Sequence, residues 1–538
     1  MDRLADLLTR SSDFVVTFQR TLIITGIVTL AAVLRLWGIG GSPAALQYDE
    51  AVNGLTAARI LAGEHPVLLM LKDGREPIHF YLVSASIAVL GKTPGAMRLP
   101  FVLGSIGLVL AAWLLARELF GRKIGWLASL LCAGTLWPVY LGRYGTRSVL
   151  FALVTSMALF YAVRAWRSGA IGWWAAAGFM FGVSYYTYPV NLLVLPAIVL
   201  VLGGASLCRS GTVRENGRGI AVMIAVTVLM AFPMWLYRGI YLTQSFSRPQ
   251  HLAVFYPGQG YSDIVKTLAA QTVLVLRMFL LRGDSNPLHN IPGRPVFDAA
   301  MALPFFWGLS VSLAQARYRR RGLAIAAWAT VFLLPTFLSK SAPHFLRSVG
   351  ILPVLFIFPA LGLLHSYRWM RNTVNPAIAN MVVGGLMVIS VFVTARDFLL
   401  RDFLNRPYVY RAYNGEETSL ALQINRRLGI GWMGSNLASR SGTMSGYVSI
   451  WVDPAVWDGN PYAQFLVPGQ LDEFPGLYTL SDGTELSASE GVLFVHPRNS
   501  SLWLERIPAG ETPLVEEGPL LYDHAEEAML PLYHIVSW

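Results

Sequence analysis

Long apolar runs recur along this chain, and they leave it few ways to fold. A run needs roughly 18 residues to cross a bilayer, and inside lipid every backbone polar group must be paired within the segment, so each run reads as a helix. We expect eleven spans, at about 21–38, 97–116, 124–141, 148–165, 171–186, 190–206, 219–237, 298–316, 322–338, 346–366 and 377–395. With 54% hydrophobic and 14% charged residues, the composition excludes a string of water-soluble domains. The first run is long for a signal peptide and lacks a convincing cleavage site, so we expect an uncleaved first span.

The formal charge of +11 would suggest nucleic acid in a soluble protein. Here the basic residues sit in short loops between spans, where topology and anionic headgroups account for them, and no nucleic-acid partner is expected. Arg3, Arg10 and Arg20 put the N-terminus in the cytoplasm. Alternate loops carry Arg117/Arg122/Lys123, Arg164/Arg167, Arg209/Arg214/Arg218, Arg317/Arg319/Arg320/Arg321 and Arg368/Arg371. These all fall on the N-terminal side if the segment 39–96 does not cross. That segment is too polar for lipid. It reads as an outer loop with two interfacial helices, one amphipathic (51–61) and one of about 13 apolar residues (78–90).

The transmembrane part is thus expected over 1–395, with a second long outer loop at 238–297 and a short apolar helix near 264–281. From 396 to 538 acids, turns and short strands return, which predicts a small extracytoplasmic α/β domain. A helix is expected over 416–428, strands over 445–452 and 491–496, and a short helix over 500–507. Cys132 and Cys208 predict neither a disulfide nor a metal cluster.

The chemistry concentrates in the outer loops. Asp49 and Glu50 follow the first span directly. Adjacent carboxylates at a membrane surface are costly unless solvated or used. They fit the N-terminal turn of a helix, with Asp49 as its cap, and equally a fixed catalytic base. Arg143, Arg147, Lys340, His344 and Arg347 lie near outer span ends, with Lys72 and Arg75 as weaker members of the set. A phosphate at headgroup depth would satisfy them, as would lipid anchoring or pairing with Asp49, Glu50 or Glu76. His79, His289 and His344 match no metal motif, so we expect no metal site and no required cofactor, a divalent ion being the one candidate. Glu76, His79, Tyr186, Tyr188 and His289 are candidate substrate contacts, although an aromatic belt also explains the tyrosines.

The order of these pieces resembles the GT-C superfamily of membrane glycosyltransferases, in the branch of protein O-mannosyltransferases and bacterial aminoarabinose transferases. The resemblance covers about 30–350. It rests on Asp49-Glu50 after the first span, on Glu76-Pro77-Ile78-His79-Phe80-Tyr81-Leu82, and on Met97-Arg98-Leu99-Pro100. Arg117-Glu118-Leu119-Phe120-Gly121-Arg122 and Pro343-His344-Phe345-Leu346-Arg347 complete it. No acid follows Arg143 closely, and Arg75-Glu76-Pro77 stands where that branch often has lysine-proline-proline.

The resemblance implies an inverting enzyme that moves a sugar from a polyprenyl-phosphate donor to an acceptor hydroxyl on a protein, lipid or glycan. It would work on the outer face of a membrane, prokaryotic by expectation. Asp49 would be the base, with Glu50 orienting it or sharing the catalytic role. Arg347 and His344, then Lys340 and Arg143, would hold the donor phosphate. A lipid-linked glycan flippase, polymerase or ligase and a non-enzymatic scaffold are the alternatives.

Overall fold

The computed structural model describes residues 2–65, 75–208, 210–240, 254–255, 260–401, 406–441, 449–469, 477–481, 484–486, 490–508, 511–522 and 528–538. The chain is an α-helical polytopic membrane protein with a small C-terminal α/β portion. Among the described residues, seven helices are long and apolar enough to cross a membrane, or up to nine if each of two bent pairs is one span. Eleven were expected. The four expected spans missing from the seven are 124–141, 171–186, 298–316 and 322–338, and three of them fall on short helices: Arg122–Gly134 (13 residues), Ile171–Ser184 (14 residues) and Ala299–Ala314 (16 residues). The first is bent by 53° against Leu136–Arg143, and the third by 113° against Ala316–Phe337.

The chain forms two compact units. The first comprises Met1–Trp37, Val67–Ile78 and Phe101–Arg401. Its centre is Val349–Thr373, whose apolar window is 89% buried, against 22% for Phe18–Leu36 and Pro376–Leu400. Ala299–Ala314 packs on Ile357–Thr373 through two facing glycines. A Cβ at Gly308 would lie 1.7 Å from the Phe358 carbonyl oxygen, and one at Gly362 would lie 2.0 Å from that of Pro304. Small residues let membrane helices approach this closely where no hydrophobic driving force separates protein from lipid.

The 53° bend at Thr135 has two causes. Pro138 cannot donate to the helix and clashes with the turn before it. Arg35, fully buried, donates to carbonyls in the last turn of Arg122–Gly134, Cys132 O (3.1 Å) and Ala133 O (3.0 Å), and also to Ser105 Oγ (2.7 Å). The short helix Leu136–Arg143 is thereby aimed separately, with Arg143 at its end.

The second unit comprises Gly38–Pro66, His79–Pro100 and Asp402–Trp538. Its strands are β1 (Ser449–Val452), β2 (Leu477–Thr479), β3 (Gly491–Val495), β4 (Leu514–Glu517), β5 (Leu520–Tyr522), β6 (Ala528–Pro531) and β7 (His534–Ser537). Five form one sheet in the order β2-β1-β3-β7-β4, with β1 parallel to β2 and β3, and β7 antiparallel to β3 and β4. Trp451, Leu480, Leu486, Leu493, Val495, Trp503 and Val536 fill one core beside it.

The polar loop near the N-terminus packs on this C-terminal segment. Trp432 Nε1 donates to Gly40 O (3.0 Å), Leu46 N to Thr418 Oγ1 (3.3 Å), Thr93 Oγ1 to Leu437 O (2.5 Å), and Ser439 N to Leu90 O (2.6 Å). The loop carries the two expected helices, Tyr48–Leu61 and Ile78–Leu90, the latter too short to span.

Candidate functional site

In the second unit, helix Tyr48–Leu61 begins one residue before the acid pair. Its cap is Gln47, not Asp49 as the sequence suggested: the Gln47 side chain accepts from Asp49 N (2.6 Å), and Glu50 Oε2 accepts from Gln47 N (3.0 Å). This reciprocal box fixes the first turn. Glu50 is buried and carries a second task. Arg98, also fully buried, grips it with both arms, Nε to Oε1 (2.9 Å) and Nη2 to Oε2 (2.9 Å). Arg98 spends its other donors on Pro43 O (2.9 Å) and Ala45 O (2.6 Å), the turn that leads into the helix. Glu50 is therefore a clamped structural anion, while Asp49 lies partly exposed on the same turn. Sequence reasoning missed Arg98 as that partner. Its one signal was an arginine opening an apolar run on the outer side.

His79 is fully buried, its ring 3.8 Å from that of Phe80. In the first unit Arg75 is buried, and Lys72 lies outside the described residues. Glu76 has no exposed surface and holds two arginines: Arg238 Nη2 donates to Oε1 (2.5 Å), and Arg147 Nε lies 3.2 Å from Oε2. Arg238 also donates to Asn191 Oδ1 (3.2 Å), and the Arg147 guanidinium lies 5.8 Å from the centre of the Tyr188 ring. Tyr186 is anchored, its hydroxyl donating to Met230 O (2.8 Å) and its carbonyl accepting from Ile78 N (3.3 Å). Arg238 was invisible as a site residue, because it closes an apolar run far from Glu76 in sequence. Arg143 is buried, donates to the Trp37 carbonyl, and lies 5.5 Å from the centre of the Phe398 ring.

Two loops bring Asp284, His289 and His344 together. Each offers one ligand atom, all within 4.8 Å of one another. His289 Nδ1 is 3.3 Å and His344 Nδ1 is 4.0 Å from Asp284 Oδ2, which also accepts from Phe345 N (2.9 Å). Asn286 N donates to Asp284 Oδ1 (2.9 Å). Burial opposes ionisation of Asp284, but His289 and these backbone donors outweigh it and bring its pKa below the usual value. Burial, with His289 and Arg347 adding to it, pushes His344 down to about 3. His344 is a neutral imidazole at physiological pH, suited to ligation or hydrogen bonding rather than to offsetting negative charge.

Two imidazoles and a carboxylate are a donor set that a divalent transition metal accepts. No sequence motif announced it, because the three come from two loops. Arg347 Nη1 donates to Ser341 Oγ (3.3 Å), and Lys340 is exposed. Arg294, also unforeseen, sits 3.6 Å from Asp397 and donates to Thr394 Oγ1 (3.3 Å).

Residues 65–237 match the family model described as dolichyl-phosphate-mannose-protein mannosyltransferase. The "Putative mannosyltransferase YkcB" of Bacillus subtilis (strain 168) is 28% identical over 158 residues, 29% of this chain. The match spans only 21% of that relative's length. Among solved structures, ArnT from Cupriavidus metallidurans bound to undecaprenyl phosphate is similar, with a TM-score of 0.56 at 14% identity over 97% of this chain and 98% of that one. The archaeal oligosaccharyltransferase AglB from Archaeoglobus fulgidus, in complex with an inhibitory peptide and a dolichol-phosphate, gives 0.51 at 14% identity over 84% and 64%. The chain has the GT-C fold that the sequence resemblance anticipated.

Proposed function

We propose that this protein is a membrane glycosyltransferase that takes a sugar from a polyprenyl-phosphate donor and passes it, with inversion, to an acceptor hydroxyl on the outer side of a membrane. One observation carries the reading: Asp49 stands on a turn that Gln47, Glu50 and Arg98 immobilise, and its neighbour's charge is already spent. A base needs a fixed position, and Glu50 and Arg98 fix the turn that carries Asp49. The similarity of residues 65–237 to a mannosyltransferase family model and the shared fold with ArnT support the same class.

A sugar on a lipid phosphate already has a good leaving group, so strong general-acid assistance is unnecessary. Asp49 takes the acceptor's proton as its oxygen attacks the anomeric carbon, and one displacement inverts that centre. Glu50 acts by holding Asp49 rather than by sharing the proton. Charge on the departing phosphate calls for cations. Arg147 and Arg238 together exceed Glu76 by one positive charge, and Arg143, Arg347 and Lys340 add to the supply. His344 contributes as a neutral donor or ligand. The donor, the acceptor and membrane lipids are the partners in this reading, and a prokaryotic plasma membrane with the C-terminal domain outside is its setting.

The test is transfer from a panel of radiolabelled polyprenyl-phosphate sugars to solubilised envelope acceptors, wild type beside Asp49→Asn. Asp49→Asn is expected to lose at least about 100-fold in rate with its folding intact. Wild-type rates in that variant would remove the base assigned here.

A further inference from the structure

Outside the acid pair, the second unit holds a cavity of about 330 Å³ lined by Glu417, Asn460, His496, Arg498, Ala455, Val456, Gly459 and two prolines, Pro497 and Pro531. That volume is at the lower end of small-ligand sites. Its walls are built rather than incidental. Asp453 accepts from Ala455 N (2.9 Å), His496 N (3.1 Å) and Asn499 Nδ2 (2.8 Å), tying three wall segments to one carboxylate. Asn460 caps helix Pro461–Leu466 by accepting from Ala463 N (2.9 Å) and donates to Glu417 O (3.0 Å). His496 Nδ1 accepts from Arg498 N (3.3 Å), which leaves Nε2 as the donor of the neutral ring.

The lining favours one ligand chemistry. Glu417 would repel an anion, and Arg498 would repel a cation. A neutral, hydroxyl-rich ligand uses both signs, since each hydroxyl donates to the carboxylate and accepts from the guanidinium or imidazole. Alanine, valine and proline surfaces suit the C–H face of a sugar ring.

The cavity is coupled to Asp49 through one short helix. Pro461–Leu466 starts at the cavity wall with Asn460 and packs on helix Tyr48–Leu61 so tightly that a Cβ on Gly54 would meet the Phe465 ring at 2.6 Å. On the same helix, the Tyr462 hydroxyl is pushed up by burial and by the negative field of Glu417, Tyr48 and Asp49 together. The cavity wall and the helix that carries Asp49 therefore pack against each other through Pro461–Leu466.

We propose that this cavity binds a neutral sugar or polyol portion of the acceptor and so presents the acceptor hydroxyl to Asp49. The inference rests on the glycosyl-transfer reading and adds the acceptor's chemical class and its seat.

The test measures initial rates with full-length protein, a fixed radiolabelled polyprenyl-phosphate sugar, and a dilution series of solubilised envelope extract as acceptor. Glu417→Gln removes the charged acceptor of hydrogen bonds. Gly459→Leu fills the cavity from a position where a Cβ meets nothing within 4 Å, so folding is not challenged. Each is expected to raise the apparent acceptor KM roughly 10-fold, the loss of one charge-assisted hydrogen bond or its equivalent, while the donor KM stays put. Acceptor KM values within twofold of wild type in both variants overturn the proposal. Failure of the wild type to transfer any label overturns the glycosyltransferase reading, and the cavity assignment with it. Normal wild-type transfer with unmoved variants overturns the cavity assignment alone.

Discussion

Glu50 and Glu76 are both buried glutamates bound to arginine, yet their charge balance differs. Glu50 meets one arginine in a two-armed pair, and Arg98 spends its remaining donors on the carbonyls of Pro43 and Ala45. That site is closed. Glu76 meets two arginines, and among the described residues no second carboxylate balances them. A surplus of positive charge on half-buried arginines is costly unless an anion arrives. The first arrangement is what a structural lock requires, and the second is what a site for a phosphate-bearing substrate requires. The difference teaches that burial and pairing alone do not separate structure from function, whereas the count of charges does.

The largest stability effect should come from the closed site. Arg98→Ala leaves Glu50 buried without its partner, and breaking such a pair costs about 3–5 kcal/mol. Thermal unfolding in detergent should show a large fall, and a variant as stable as wild type would end the lock reading. The open site should respond differently to loss of an arginine. Arg238→Ala leaves a balanced Glu76–Arg147 pair, so the stability loss should be smaller, about 1–2 kcal/mol, and the donor KM should rise about 10-fold. Equal destabilisation by both variants, with the donor KM unmoved, would erase the distinction.

A smaller effect concerns pH. His344 is held near 3 in the folded state, while the unfolded chain binds that proton near the ordinary histidine value of 6.5. Between those values the unfolded state carries more protons, so stability falls as pH falls from 7 towards 5, by at most about 2 kcal/mol for this group. Asp284, whose pKa is lowered, adds stability that is lost only below the usual carboxylate range. Unfolding temperatures of His344→Gln across pH 5–7 should therefore slope less steeply than those of wild type, and parallel slopes would count against a neutral buried His344.

How much was legible follows from the range of each interaction. The spans announced themselves because an apolar run is a local property. The expected spans 124–141, 171–186 and 298–316 are the ones whose helices fall short of 18 residues. The strand expected at 445–452 is seen over Ser449–Val452, residues 442–448 lying outside the described set. The helix expected at 416–428 is Gly415–Leu428. Asp49-Glu50 stood out as adjacent carboxylates beside lipid, but the division of labour between them did not. It depends on Arg98, 48 residues away, and on a cap supplied by Gln47 rather than Asp49. Likewise His289 and His344 were visible singly, and only the meeting of two loops made them, with Asp284, a possible ligand set.

The sequence by itself determined that this chain lives in a membrane and where most of its apolar helices run. Those properties are set by the free energy of transferring consecutive residues between water and lipid, which each segment carries wherever it packs. Tertiary structure alone decided that Arg98 clamps Glu50, which arginines outnumber their acid, and that the first polar loop rests on the C-terminal segment. Pairwise electrostatics and hydrogen bonds act over a few ångströms, so they depend on which distant residues the fold brings within reach.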